Sequence, residues 1–216
     1  MSKKVIILDF DGTFYSGSEV FSKMSDYLED NRRLFLKSIS DEEYDVIVKE
    51  NKEWNTLDSC SSIANYVYVL KKKYPNYNIT IKDFLDQQSS TYDPLVLDNA
   101  EFVNPSYIKE LCENYPVYVV SNSSHTHLKH YMKVMGVNPK WFVRLVSNKF
   151  TSKDKTKKHY YKKIADKENC EYSKVYIFGD GDTSDLEPGR LLGMNTYLVV
   201  NASELEGIIN KALKEN

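Results

Sequence analysis

The stretch Val5-Ile6-Ile7-Leu8-Asp9-Phe10-Asp11-Gly12-Thr13 decides how the rest of the chain is read. Its first four residues are apolar and mostly β-branched, which suits a short strand covered on both faces. The apolar run stops at Asp9, too early for a secretory signal, and no small-residue cleavage site follows. Residues two apart on an extended chain face the same side, so Asp9 and Asp11 point together and Phe10 points away. Gly12 permits a sharp turn directly after them. Two adjacent carboxylates repel, and one pKa rises unless a cation stands nearby. The pair suits a nucleophile beside a proton-transfer group. An aspartate is ionised at neutral pH without an activating base (reference pKa ~3.9), but it needs a cation to offset repulsion from an anionic phosphate.

Working outward, the same kind of run recurs at Val117-Tyr118-Val119-Val120, Val175-Tyr176-Ile177-Phe178 and Tyr197-Leu198-Val199-Val200, and more weakly at Arg144-Leu145-Val146. Between them lie helical patterns: Pro105 to Glu113, His125 to Met135 closed by Gly136, Lys157 to Lys167, and Ser203 to Lys214 with Ser203 as N-cap. Strands alternating with helices predict an α/β fold with a Rossmann-like, doubly wound parallel sheet. From about residue 16 to 98 no strand is convincing. Apolar residues recur there at helical spacing in Val20 to Leu36, Glu42 to Trp54, Ile63 to Leu70 and Ile81 to Leu85. That block is too long for one crossover. It reads as an inserted all-helical cap over 16–98, with the catalytic core in 1–15 and 99–216.

Ligands of an open parallel sheet bind beyond the carboxyl ends of its strands, so the strand tips are read together. Ser121-Asn122 can donate hydrogen bonds to phosphate oxygens, and the next helix aims its amides at the same anion. Gly179-Asp180-Gly181-Asp182-Thr183-Ser184-Asp185 offers the carboxylates that magnesium takes. Asp182 reads as a turn residue rather than a ligand. One lysine from Lys153-Asp154-Lys155-Thr156-Lys157-Lys158 would neutralise the nucleophile and a transferring phosphoryl group.

In that order these motifs resemble the haloacid dehalogenase-like superfamily, in its phosphatase branch, over about residues 3–15 and 100–200. Asp9-Phe10-Asp11-Gly12-Thr13 meets the DxDGT motif, Ser121 the second, and Gly179-Asp180 with Asp185 the GDxxxxD motif. The run from Asp185 through Gly189 to Gly193 is also similar. The resemblance implies an aspartyl-phosphate on Asp9, with Asp11 protonating the leaving group and then activating water. It implies phosphoryl binding by Ser121 and a lysine, with Gly12, Thr13 and Asn122 as further phosphate contacts. It implies Mg2+ held by Asp9, the Asp11 carbonyl and Asp180, with Asp185 in support. The usual lysine-proline pair of the third motif is missing. Lys155, six residues before Tyr161, matches the family spacing; Lys153, Lys157 and Lys158 stay open. A cap between the first two motifs implies a small phosphorylated metabolite, such as a nucleotide or sugar phosphate. Dehalogenases lack the second acid, so Asp11 argues against that chemistry. A phosphomutase, or a non-catalytic binding protein on the same fold, is the alternative.

The remaining features are bland. The chain has 216 residues, 41% of them hydrophobic, and a net charge of -2, enough for a sizeable core and no sign of a polyanionic partner. No nucleic-acid role is expected, and no stretch approaches a membrane span. Cys60, Cys112 and Cys170 are odd in number and widely spaced, which suits reduced thiols in the cytoplasm. His125, His127 and His130 do not share one helical face and read as surface or packing residues, His125 nearest the site. The aromatics from Tyr66 to Tyr77 read as packing within the cap rather than base stacking. Oligomeric state is not legible.

Overall fold

The computed structural model describes residues 3–17, 97, 99–123, 125–147 and 156–214. In chain order its elements are β1 (Val5–Leu8), β2 (Tyr15–Ser16), β3 (Glu101–Phe102), α1 (Pro105–Asn114), β4 (Val117–Ser121), α2 (His125–Val134), β5 (Arg144–Ser147), α3 (Lys157–Glu168), β6 (Val175–Gly179), α4 (Glu187–Arg190), β7 (Asn195–Leu198) and α5 (Leu205–Lys214). Five strands form one parallel sheet in the order β5-β4-β1-β6-β7. The chain winds from β1 out to β4 and β5, then returns to β6 and β7 on the other side. The order therefore reverses at β1, which is where ligands bind in such sheets.

The strand alternation sorts the core into two layers. Ile6 and Leu8 face one side with Val117, Val119, Tyr176 and Phe178, covered by Ile108 and Leu111 of α1, Leu128 and Tyr131 of α2, and Ile209 of α5. Val5 and Ile7 face the other with Tyr118, Val120 and Ile177, covered by Tyr161, Ile164 and Ala165 of α3. Both faces of β1 are thus dry, as its unbroken apolar run requires.

Two boundaries differ from the sequence reading. β7 begins at Asn195 rather than Tyr197, paired to β6 through Tyr176↔Asn195 and Ile177↔Thr196. It is a sheet edge, so polar residues are tolerated and the hydrophobic run misplaces it. Val200 is 68% exposed. Ser203 does not cap the last helix. It lies inside a 3-10 turn, Ala202–Glu204, and its hydroxyl donates to the Glu101 carboxylate, a stronger acceptor. The cap assigned to 16–98 falls almost wholly outside the described residues. At its borders, Tyr15 pairs with Phe102 and Ser16 with Glu101 in an antiparallel ribbon, so the chain leaves the core and rejoins it at one place.

Among the described residues no helix is long and apolar enough to cross a membrane. Ile108 is fully buried between α1 and the sheet, away from the strand tips. Ile108→Ala should cost about 2–5 kcal/mol of stability in urea unfolding, while leaving the properties of the folded site unchanged.

Candidate active site

Asp9 follows β1 directly, and its N–H donates to Phe178 O at 2.9 Å, which locks it beside the end of β6. Phe10 turns into the core against Phe14 and Tyr15, so Asp9 and Asp11 share the opposite side, as alternation requires. Gly12 then turns the chain at φ +81°. A Cβ there would lie 2.2 Å from Asp180 Oδ2, so only glycine lets this turn and the Asp180 carboxylate coexist.

β6 ends in Gly179, and Asp180 follows it. Asp182–Leu186 makes one π-helical turn, with the N–H groups of Asp185 and Leu186 both donating to Gly181 O. That wide turn draws Asp185 inward. Its Oδ2 receives Gly181 N–H at 2.8 Å and Ser184 Oγ at 3.0 Å. Its Oδ1 receives Lys157 Nζ, and the same ammonium donates to Asp9 Oδ1 at 2.8 Å. Lys157, Asp9 and Asp185 are all buried. Burial alone would lower the Lys157 pKa, but Asp9 and Asp185 outweigh it and raise it, so the lysine stays charged.

Carboxylate oxygens of Asp9, Asp180 and Asp185 lie within 4.8 Å of one another. Burial, with the charges of Asp185 and Asp11, pushes Asp9 well above the usual carboxylate range despite Lys157. Burial and Asp185 push Asp180 up to about 6. This all-oxygen, negatively overcharged set fits a hard divalent cation such as magnesium.

Asp11 behaves oppositely. Burial raises it, but His127, through its charge and hydrogen bond, and then Ser123 and Tyr15 lower it below the usual range. His127 Nε2 lies 2.7 Å from Oδ1, which also receives the Tyr15 hydroxyl. Oδ2 receives Ser123 Oγ at 2.5 Å and Ser121 Oγ at 3.2 Å. Ser121 is buried at the end of β4 and also accepts Ser123 N–H at 3.0 Å. One hydroxyl thus serves both the turn and the carboxylate.

A family model of the haloacid dehalogenase-like hydrolases matches residues 3–193. The chain belongs to this family. No curated protein matches it. Among solved structures it is similar to the HAD-hydrolase YfnB from Bacillus subtilis bound to magnesium (16% identity, 97% of this chain and 100% of that one, TM-score 0.57). It is similar also to a 2-haloacid dehalogenase from Pseudomonas syringae (11%, 97% and 99%, TM-score 0.57). A predicted phosphoglycolate phosphatase from Haemophilus somnus is a third (14%, 91% and 84%, TM-score 0.53). At these identities the likeness concerns the fold.

For a haloacid dehalogenase-like hydrolase read from its motifs, most of the set converges: Asp9, Asp11, Ser121, Asp180 and Asp185 meet at adjoining strand tips, with Asn122 half-buried beside Ser121. Among the described lysines of this stretch, Lys157 is the one at the site. Lys155 and Lys153 lie outside the described residues, Lys158 is exposed, and Lys157 holds Asp9. The helix phase carries this signal: Lys157, Tyr161, Ile164 and Ala165 form one buried stripe of α3, so the register of the apolar residues runs back to 157. Thr13 is fully buried, its N–H donating to Phe10 O and its hydroxyl without a hydrogen-bond partner among the described residues. It shapes the turn and presents no exposed hydroxyl to a phosphate. Asp182 points outward and pairs with Arg190 at 2.8 Å, in keeping with a turn residue. His127, read as packing, is the residue the sequence analysis undervalued. It shares the buried face of α2 with Leu128, Tyr131 and Met132.

Lys157→Met would leave Asp9 and Asp185 buried without their cation. Stability at pH 7 should fall by about 3–5 kcal/mol. Asp9, already raised, then takes up a proton more readily in the folded than in the unfolded chain. The deficit should therefore shrink as pH falls through the folded Asp9 pKa, checked by urea unfolding across pH.

Proposed function

We propose that the chain is a magnesium-dependent phosphatase that cleaves a small phosphomonoester by nucleophilic attack of Asp9 on phosphorus. The observation that carries this reading is the position of Asp9. Its carboxylate is buried at the topological switch point, gripped by Lys157, set among the oxygens of Asp180 and Asp185, and accompanied by a second acid, Asp11. That second acid favours phosphoryl chemistry over dehalogenation, which needs no proton for a halide.

Asp9 and Asp180, with the Asp11 carbonyl and Asp185 in support, would hold magnesium. The ion would supply positive charge against the phosphate oxygens and favour the ionised form of Asp9. Lys157 neutralises Asp9 so that a phosphate can approach, and it shares the charge of the transferring group. The Ser121 hydroxyl and Asn122 amide donate to phosphoryl oxygens, with the loop before α2 offering backbone N–H groups. Asp11 moves the proton. An arriving phosphate raises its pKa by like-charge repulsion, so one carboxyl protonates the departing oxygen and later accepts a proton from water. A small phosphorylated metabolite, a nucleotide or a sugar phosphate, suits a cap between the first two motifs. The odd number and wide spacing of Cys60, Cys112 and Cys170 favour a cytoplasmic enzyme.

Phosphate release should be measured over nucleotides, sugar phosphates and phosphoglycolate, with magnesium and with chelator. Turnover should require magnesium and vanish in a folded Asp9→Asn variant; turnover retained in that variant removes Asp9 as nucleophile. Of Lys153, Lys155, Lys157 and Lys158, only replacement of Lys157 should cost several kcal/mol (about 3–4) in kcat/KM. Stable transfer between two positions of a sugar phosphate, without net release, would identify a mutase instead.

The metal-free site should also show a pH signature. With its folded pKa raised to about 6, Asp180 costs stability as pH rises through that value and costs none below the unfolded pKa. Asp180 is exposed, so solvent screens much of that cost; Asp180→Asn should raise the metal-free Tm at pH 7 only slightly and remove most of the Tm gain on adding magnesium, read by thermal unfolding.

A further inference from the structure

The two oxygens of Asp11 are held in different ways. Oδ1 is gripped by deeply packed groups. His127 Nε2 lies 2.7 Å away, and the ring is 2% exposed. That ring stands edge-on to Phe10 at 5.9 Å and to Tyr131 at 4.4 Å, so it has no room to swing. The Tyr15 hydroxyl also reaches Oδ1, and its ring is fully buried against Phe10 and Tyr131. An ionised carboxylate only accepts hydrogen bonds, so Nε2 is the protonated nitrogen here. Both in-plane lone pairs of Oδ1 are then taken. Oδ2 instead receives two serine hydroxyls, Ser123 Oγ at 2.5 Å and Ser121 Oγ at 3.2 Å, whose O–H can be re-aimed by turning one bond where a packed ring cannot.

We infer that His127, assisted by Tyr15, is a positioning residue that anchors Asp11 through Oδ1 and leaves Oδ2 as the oxygen that carries the proton. The inference rests on the phosphatase reading and deepens it. In the first half-reaction an Asp9 oxygen bonds to phosphorus, the ester P–O bond breaks, and the proton on Oδ2 passes to the departing oxygen. In the second, water oxygen bonds to phosphorus, its proton passes to Oδ2, and the bond between phosphorus and Asp9 breaks to release phosphate. Ser121 can turn its hydroxyl from Oδ2 to a phosphoryl oxygen. Substrate binding itself then frees the lone pair that the proton uses. A carboxyl with both oxygens loosely held would sample several rotamers, and proton transfer needs hydrogen-bond distance and direction.

The test uses the full chain with magnesium and two probes: glycerol phosphate, whose alkoxide leaves poorly without a proton, and para-nitrophenyl phosphate, whose aryloxide leaves without one. His127→Phe keeps the ring packing and removes the donor; His127→Gln restores an N–H donor. For His127→Phe, kcat on glycerol phosphate should fall roughly 10- to 100-fold, with KM within about twofold of the wild-type value. The loss on para-nitrophenyl phosphate should be much smaller, and His127→Gln should recover most of the activity. Thermal unfolding confirms that both variants are folded. Equal losses on the two esters, or undiminished turnover in folded His127→Phe, overturn this inference and leave the phosphatase reading standing. Should His127→Phe not fold, failure of folded Tyr15→Phe to show the same leaving-group dependence overturns it. Absence of ester turnover in the wild-type chain overturns both.

Discussion

The ammonium of Lys157, buried between Asp9 and Asp185, is the contact on which the rest of the site depends. It joins three parts of the chain through buried charge: the tip of β1, the first turn of α3, and the π-helical turn after β6. A buried charge must be paired, and a pair is worth its desolvation only when the remaining lone pairs are satisfied. Here they are satisfied on the Asp185 side, where Gly181 N–H and Ser184 Oγ take Oδ2. Tyr161 ties the same helix to the Asp185 carbonyl at 3.1 Å. Asp185 is thus a structural hinge-pin for the lysine as much as a candidate metal ligand. The lysine holds Asp9 in place and offsets its charge.

This dependence explains what could be read from the sequence and what could not. The sheet was legible because β1, β4 and β6 are buried on both faces, so each shows as an unbroken apolar run. The edge strand β7 was misplaced by two residues because an edge needs less apolar cover. Asp9, Asp11, Ser121, Asp180 and Asp185 were legible because parallel strands put their carboxyl ends side by side, and a polar residue at a strand tip announces itself by ending the run. Lys157 was harder. Lysines at 153, 155, 157 and 158 look alike locally, and a matched spacing favoured 155. The buried stripe of Tyr161, Ile164 and Ala165 selects 157, because a residue four positions before Tyr161 lies above it on the same face. Thr13 was taken as a ligand contact from its motif, whereas burial assigns it to the turn.

His127 was missed for a related reason. His125, His127 and His130 do not share one helical face, so they read as surface or packing residues, with His125 nearest the site. Taken singly, His127 stands next to Leu128 and four residues before Tyr131, which places it on the side of α2 that packs on the sheet. A histidine at a core position needs a polar partner. The nearest one the topology supplies is the carboxylate that turns off the end of β1. The physical question was where that imidazole's hydrogen bond goes, and sequence alone contains the question without the answer.

The charges of the site do not balance without a cation. Asp9, Asp11, Asp180 and Asp185 converge, with Lys157 between two of them and His127 beside a third, and Asp180 has no basic partner within salt-bridge distance among the described residues. Partial burial and the charge of Asp185 both disfavour the ionised form of Asp180. Yet Gly12 is held at positive φ so that this carboxylate fits against the turn. Two local rules are broken at one point, a non-helical turn that only glycine permits and an uncompensated acid. Such coincident violations mark a place where binding offsets a folding cost. Lys157 bonds Asp9 and Asp185 and not Asp180. The lysine is part of the fold itself, whereas the charge that would complete the site comes from outside it. The fold can therefore form around the lysine, with the Asp9 carboxylate placed and neutralised by it, while Asp180 has no such cation of its own among the described residues.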